Sequence, residues 1–301
     1  MTQALWMPSD SVMRDANMTR FLDYIRRECD PNVHSYASLY QWSVEHPEDF
    51  WPQVWAFCGI HASHAWDEVL VDGDRMPGAK WFTGARLNFA ENLLRYRDER
   101  TALVFRCEHD DKRITLTYRE LYAQVARLAD ALRRSGVQTG DRVAGFMPNR
   151  PETIIAMLAA TSIGAIWSSC SPDFGINGVL DRFGQIEPKV LVCADGYLFG
   201  GKQVDSLGEV RTILERLPTE SRVVVVPYLN ENPDLTGVRG AETLDELVAP
   251  FAAREIDFEP VAFNHPLYIL YSSGTTGVPK CIVHGAGGTL LKHLCEQQLH
   301  S

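Results

Sequence analysis

The chain has 301 residues, 45% of them hydrophobic, enough to bury a sizeable core and to hold more than one structural unit. A formal net charge of −10, with no concentrated basic patch, argues against a nucleic-acid partner. Seven cysteines lie scattered without a Cys-x-x-Cys pair and the start, MTQALWMPSD, has no basic or apolar leader region, so the sequence reads as a cytosolic chain with reduced thiols.

In chain order, residues 1–35 read as a helical lead-in: Phe21, Leu22 and Ile25 share one helical face, and Asn17 or Thr19 is placed to cap it. Residues 35–65 are rich in aromatics. Trp42, Trp51 and Trp55 read as a packed cap, with short helices joined by a turn near Pro47, and not as a ligand-stacking box. His61 and His64 stand three apart, but no neighbouring Cys, His or carboxylate cluster completes a metal set. In KWFTGARLNFAENLL, residues 80–94, Asn88 is placed to cap a helix beginning at Phe89 or Ala90.

From Thr101 the pattern becomes α/β. Strands are expected at 102–106 and 113–117, and Thr117 with Glu120 forms a capping box for the helix carrying Leu121, Val125, Leu128 and Leu132. A strand at 142–147, a helix through Ile154 and Leu158, and a strand at 164–167 follow, so a largely parallel sheet covered by helices is expected. The longest uncharged run, 153–172, is salted with Thr, Ser and Gly and fits that helix and strand better than a membrane span. Residues 168–175, SSCSPDFG, read as a polar loop at a strand's C-terminal end, where open α/β sheets bind ligands. A helix at 178–185 and a buried strand at 190–194 lead to a surface turn, 195–202, that ends on Lys202. Another buried strand covers 223–227, and residues 233–260 are polar and acidic with one amphipathic helix near 243–251. Residues 289–299 read as a helix preceded by flexible glycines at 285, 287 and 288.

Residues 267–280, LYILYSSGTTGVPK, stand apart. Five apolar or aromatic residues read as a buried strand, and the next residues supply four hydroxyls and two glycines. Such a loop suits a polyphosphate: Gly274 and Gly277 admit backbone amides closely, Ser272, Ser273, Thr275 and Thr276 donate hydroxyls, and Lys280 brings charge. It is not a Walker A loop, because Cys281 follows Lys280 where Ser or Thr is needed. Ser-, Thr- and Gly-rich stretches are usually plain loops. The preceding strand, the Gly-x-x-Gly-x-x-Lys spacing and the apolar Cys281, Ile282 and Val283 distinguish this one.

The stretch resembles the phosphate-binding signature of the adenylate-forming superfamily, which includes the acyl-CoA synthetases, firefly luciferase and peptide-synthetase adenylation domains. LWMPSD, SVEHPEDFW, WFTGARLNFAENLL and AIWSSCSPDFGINGVLDRFGQIEPK extend the likeness along the whole chain, and point to the acetoacetate branch of the acyl-CoA synthetases. Cys281, where acetyl-CoA synthetases usually have Gly, and SSCSPDFG favour that branch.

The resemblance implies an α/β fold: an N-terminal helical cap over 1–96, then over 97–301 the first part of an adenylate-forming large domain. It implies an acetoacetate–CoA ligase that consumes ATP with Mg2+ and coenzyme A and forms AMP, diphosphate and acetoacetyl-CoA through an acyl-adenylate. An acetyl-CoA or other short-chain ligase, and a non-catalytic remnant, are the alternatives. Lys280, Thr275 and Thr276 would act on the reacting phosphates, and Ser272, Ser273, Gly274 and Gly277 would hold them. Lys202 matches a basic residue set against the CoA phosphates, although Phe199 replaces a second one. No dedicated metal ligands, nucleic acid or membrane partner are implied. The family's core continues past this loop to the adenine, ribose and acyl pockets and a mobile domain with a catalytic lysine. A chain ending at Ser301 is therefore expected to be inactive alone, and to expose strand edges and apolar surface that a complementary chain would cover.

Overall fold

The computed structural model describes residues 6–108, 113–272 and 277–300. Two compact units form: one runs to Leu87 and adds Ala262–Asn264 and the stretch from Gly287, and the other comprises Asn88–Val261 and His265–Ala286.

The first unit begins with α1 (Asp10–Asp15), α2 (Asn17–Glu28), α3 (Tyr36–Glu45) and α4 (Pro47–Phe57), followed by strands β1 (Glu68–Val71), β2 (Lys80–Thr83) and β3 (Arg86–Leu87). Neither Asn17 nor Thr19 caps α2. One extended residue, Ala16, ends α1 and starts α2, so Asn17 is already helical, and the Thr19 hydroxyl donates to the Met13 carbonyl at 2.6 Å instead. Ser35 caps α3 in a reciprocal box with Ser38, and Pro47 opens α4. The aromatics pack on each other: Phe21 meets Phe50 and Phe57, and Trp55 lies 5.2 Å from both Trp66 and Phe82. His64 pairs with Asp67 at 3.0 Å.

The second unit contains α5 (Phe89–Leu93), β4 (Thr101–Arg106), β5 (Arg113–Thr117), α6 (Tyr118–Arg134), β6 (Arg142–Phe146), α7 (Pro151–Ser162), β7 (Ile166–Cys170), α8 (Gly175–Ile186) and β8 (Val190–Ala194). It continues through β9 (Gly196–Phe199), β10 (Lys202–Asp205), α9 (Leu207–Arg216), β11 (Arg222–Val226), β12 (Ala241–Thr243), α10 (Leu244–Val248), the first residue of β13 (Val261–Ala262), β14 (Pro266–Ser272) and β15 (Lys280–Gly285). Seven strands make one sheet in the order β12-β11-β8-β6-β7-β14-β15, parallel except for β15.

Helices cover both faces, which is why the central strands read as unbroken apolar runs. On one face Val125, Leu128 and Leu132 of α6 and Leu158 of α7 pack with Val143, Val192, Val224 and Val226. On the other, Phe183 of α8 and Val210 and Ile213 of α9 pack with Phe146, Leu191, Val223 and Val225. Thr117 and Glu120 form the anticipated capping box, with the Thr117 amide 2.8 Å from the carboxylate. Asn88 caps α5 through the Glu91 amide, while its buried Nδ2 faces the carbonyls of Thr161, Ser162 and Glu259 at 3.1, 3.0 and 2.9 Å.

Two stretches expected as loops are partly strand. β7 runs through Ser168, Ser169 and Cys170, because the edge of β6 pairs with it as far as Phe146↔Cys170 and the buried Ser168 hydroxyl is satisfied by the Ile269 carbonyl at 2.8 Å. The expected turn at 195–202 is the hairpin β9–β10, with Lys202 opposite Phe199.

Returning to the first unit, α11 (Ala286–Leu294) starts earlier than expected and is followed by a π-helical turn, Cys295–Leu299. Gly287 and Gly288 are inside the helix. A Cβ on Gly287 would lie 2.1 Å from the Phe263 ring, so close approach, not flexibility, accounts for that glycine.

Candidate functional site

The parallel strands β6, β7, β8, β11 and β14 all end on one edge of the sheet, at Phe146, Cys170, Ala194, Val226 and Ser272. Ligands of open α/β sheets bind outside such an edge. The stretch singled out in the sequence emerges there from β14.

β14 and β15 form an antiparallel hairpin whose last rung is Ser272↔Lys280. Ser272 is the final residue of a strand and half-buried, whereas Lys280 is the first residue of the returning strand and exposed. Directly opposed residues place their Cβ atoms about 5 Å apart on one face. A hydroxyl and an ammonium are therefore anchored together at the mouth of the loop. Gly277 has φ +89, a left-handed conformation that suits glycine alone. Ser273, Gly274, Thr275 and Thr276 lie outside the described residues. Beneath the mouth, the Tyr271 hydroxyl sits 2.9 Å from Ser168 Oγ, and burial raises the phenol's pKa. Burial also pushes the neighbouring Cys170 thiol up to about 12, which keeps it protonated and unreactive.

Lys202 stands on the hairpin that follows β8. β8 is three strand steps from β14 (through β6 and β7), so the two loops are about 14 Å apart along the edge at ~4.8 Å per strand. Lys202 and Phe199 are both exposed. The sequence reading missed the residue that holds this hairpin in place. Asp195 is 1% exposed, and its carboxylate accepts from the amides of Tyr228, Leu229 and Asn230 at 2.7, 3.0 and 2.9 Å and from Asn230 Nδ2 at 3.1 Å. Its carbonyl accepts from the Ser206 amide at 3.1 Å, closing the hairpin's base. The available signal was a lone Asp directly after a run of buried residues, where only a fully bonded carboxylate is tolerated.

Among the described residues, no group of three or more His, Cys, Asp or Glu side chains could hold a metal ion. The donor set at the loop mouth, a hydroxyl and an ammonium, suits an anion.

A family model described as AMP-binding enzyme matches residues 89–300. The chain belongs to the AMP-binding enzyme family. A second model, the acetyl-coenzyme A synthetase N-terminus, matches residues 36–93. The acetoacetyl-coenzyme A synthetase of Rhizobium meliloti is 49% identical over 98% of this chain and 45% of its own length. The Danio rerio acetoacetyl-CoA synthetase is 43% identical over 99% of this chain and 45% of its own. Malonamoyl-CoA synthetase of Penicillium aethiopicum is 37% identical over 99% of this chain and 43% of its own. The solved structure of acetoacetyl-CoA synthetase from Streptomyces lividans superposes with a TM-score of 0.90 at 42% identity, over 98% of this chain and 45% of that one. The chain thus spans slightly less than half the length of the relatives it matches. No helix among the described residues is long and apolar enough to cross a membrane.

Proposed function

We propose that this chain forms the phosphate-handling part of an acetoacetate–CoA ligase. The observation that carries the reading is the Ser272↔Lys280 rung, which opens the Ser-, Thr- and Gly-rich loop at the C-terminal edge of a parallel sheet. In the proposed reaction an acetoacetate carboxylate oxygen attacks the α-phosphorus of Mg-ATP, the bond to the bridging oxygen breaks, and diphosphate leaves. The thiolate of coenzyme A then attacks the acyl carbonyl and AMP leaves.

Lys280 neutralises charge that builds on the departing diphosphate, and the hydroxyls of Ser272, Ser273, Thr275 and Thr276 donate to its oxygens. Gly274 and Gly277 let the backbone close on it. Such transfers depend on positioning and charge neutralisation more than on covalent help from the protein. Mg2+ arrives with the nucleotide, and Lys202 meets the phosphates of coenzyme A. Acetoacetate and malonamate, the acids implied by the relatives' names, share a carbonyl β to the carboxylate, which favours acetoacetate over acetate as substrate. Seven cysteines, none in a disulfide, fit a reducing cytoplasmic setting.

The test is ATP–diphosphate exchange with acetoacetate, acetate or no acid. It is run on the chain alone and again with a second chain carrying the part of the Rhizobium relative that this one does not match. Acetoacetate-dependent exchange in the combined sample supports the proposal. Exchange with acetate but not acetoacetate replaces it with the acetyl-CoA reading, and no exchange in either sample refutes it.

A further inference from the structure

Helix α8 touches the hairpin on both of its arms. Arg182 and Gln185, three residues apart, share one helix face. The Arg182 guanidinium lies 5.6 Å from the Tyr271 ring centroid on β14 and 4.5 Å from that of Phe174. Its Nη1 donates to the Gly178 carbonyl at 2.7 Å, while its buried Nε has no hydrogen-bond partner among the described residues. Gln185 works on the returning arm. Its Nε2 donates to the Pro279 carbonyl at 2.8 Å and to the Asp181 carbonyl at 2.6 Å, and the Cys281 thiol donates to its Oε1 at 3.6 Å. Tyr271 and Cys281 are cross-strand partners, one rung below Ser272 and Lys280.

The two residues that Gln185 holds are thus the immediate neighbours of Lys280. Pro279 has no amide of its own to enter the ladder, so its carbonyl is the group left to fix the chain at that point. Cys281 is the first residue beyond Lys280 in the paired strand. A lysine ammonium rides on a flexible stem, and a backbone fixed on both sides removes part of the disorder that ligand binding would otherwise have to overcome.

We infer that Gln185 is a positioning residue for Lys280: by holding Pro279 and Cys281 it sets the direction from which the lysine meets an anion at the loop mouth. The inference rests on the phosphate reading of that loop. Gln185 is exposed and lies on a regular helix, so Gln185→Ala removes the contacts without opening the core.

Three readouts on the full chain test it: affinity for magnesium diphosphate by calorimetry, the rate of Cys281 alkylation by iodoacetamide, and the thermal midpoint. Loss of the neutral hydrogen bond to the Pro279 carbonyl predicts about fivefold weaker diphosphate binding, and loss of the Cys281 contact comparably faster alkylation, with the midpoint nearly unchanged. Unchanged affinity overturns the inference even if alkylation speeds up, because Gln185 would then only brace the strand. Weaker binding accompanied by an equal loss of fold stability overturns it too. If the parent chain binds no diphosphate, the phosphate reading itself fails. The alkylation rate then decides separately whether Gln185 holds the strand: an unchanged rate overturns that part as well.

Discussion

Replacing Asp195 with Ala tests whether one buried carboxylate holds the loops at the sheet's C-terminal edge. The side chain is 1% exposed and accepts four hydrogen bonds, three of them from consecutive backbone amides of residues 228–230. Each bond to a charged acceptor is worth about 1.5–3 kcal/mol net, and the amides left behind carry their own desolvation cost. The bonds do not add simply, because the loop relaxes and water enters. Asp195→Ala leaves four neutral donors without their acceptor, each at about 1–3 kcal/mol before relaxation, so a loss of about 3–5 kcal/mol is expected. Asp195→Asn keeps one acceptor oxygen but turns an NH2 toward two donors, so about 2 kcal/mol is expected. For a unit of this size, at roughly 2–4 °C per kcal/mol, the Ala variant should melt about 6–20 °C lower. Urea unfolding and calorimetry of the two variants beside the parent measure this. An Asp195→Ala chain within about 1 kcal/mol of the parent would refute the anchoring role.

Asn88→Ala should cost about 2–3 kcal/mol in urea unfolding, since it strips a buried donor from the Thr161, Ser162 and Glu259 carbonyls and the cap from α5. A loss below about 0.5 kcal/mol would contradict that placement. Neighbouring glycines of α11 should respond with opposite signs. Gly287→Ala drives a methyl into the Phe263 ring and should destabilise by about 1–3 kcal/mol, while Gly288→Ala meets open space and should stabilise by about 0.5 kcal/mol. Burial pushes the Cys170 and Cys193 thiols up to about 12, from an ordinary 9.0. Their contribution to stability is therefore complete below about pH 9 and is lost as pH rises toward 12, at about 1.4 kcal/mol per unit for each thiol. Cys193→Ala should accordingly flatten the fall in unfolding free energy between pH 9 and 11 relative to the parent; parallel curves would show that the thiol is not held neutral.

The sheet was legible because its physics is local to each strand. Val223, Val224, Val225 and Val226 send alternate side chains into the two cores, and such a run can be only a strand buried on both faces. The Thr117–Glu120 box and the Asn88 cap are likewise spelled out within a few residues of sequence. What escaped depended on partners distant in sequence. Ser168 looks polar and loop-like until the Ile269 carbonyl, about a hundred residues away, satisfies its hydroxyl within a strand. Gly287 looks flexible until Phe263 is brought against it. At the candidate site, Ser272 and Lys280 could be picked out by composition and spacing. The contact of Gln185 on α8 with Pro279, and that of Asp195 after β8 with residues 228–230, could not, because they exist only once the elements are side by side.

The proposed role of Lys280 is to bind the phosphates of a nucleotide at the hairpin mouth. Calorimetric titration of the chain with Mg-ATP, beside Lys280→Ala, tests it most directly. Saturable binding by the parent and at least about tenfold weaker binding by the variant are expected, the scale of losing one charge-assisted contact. Equal affinity in the two chains, or no binding by the parent, would contradict it.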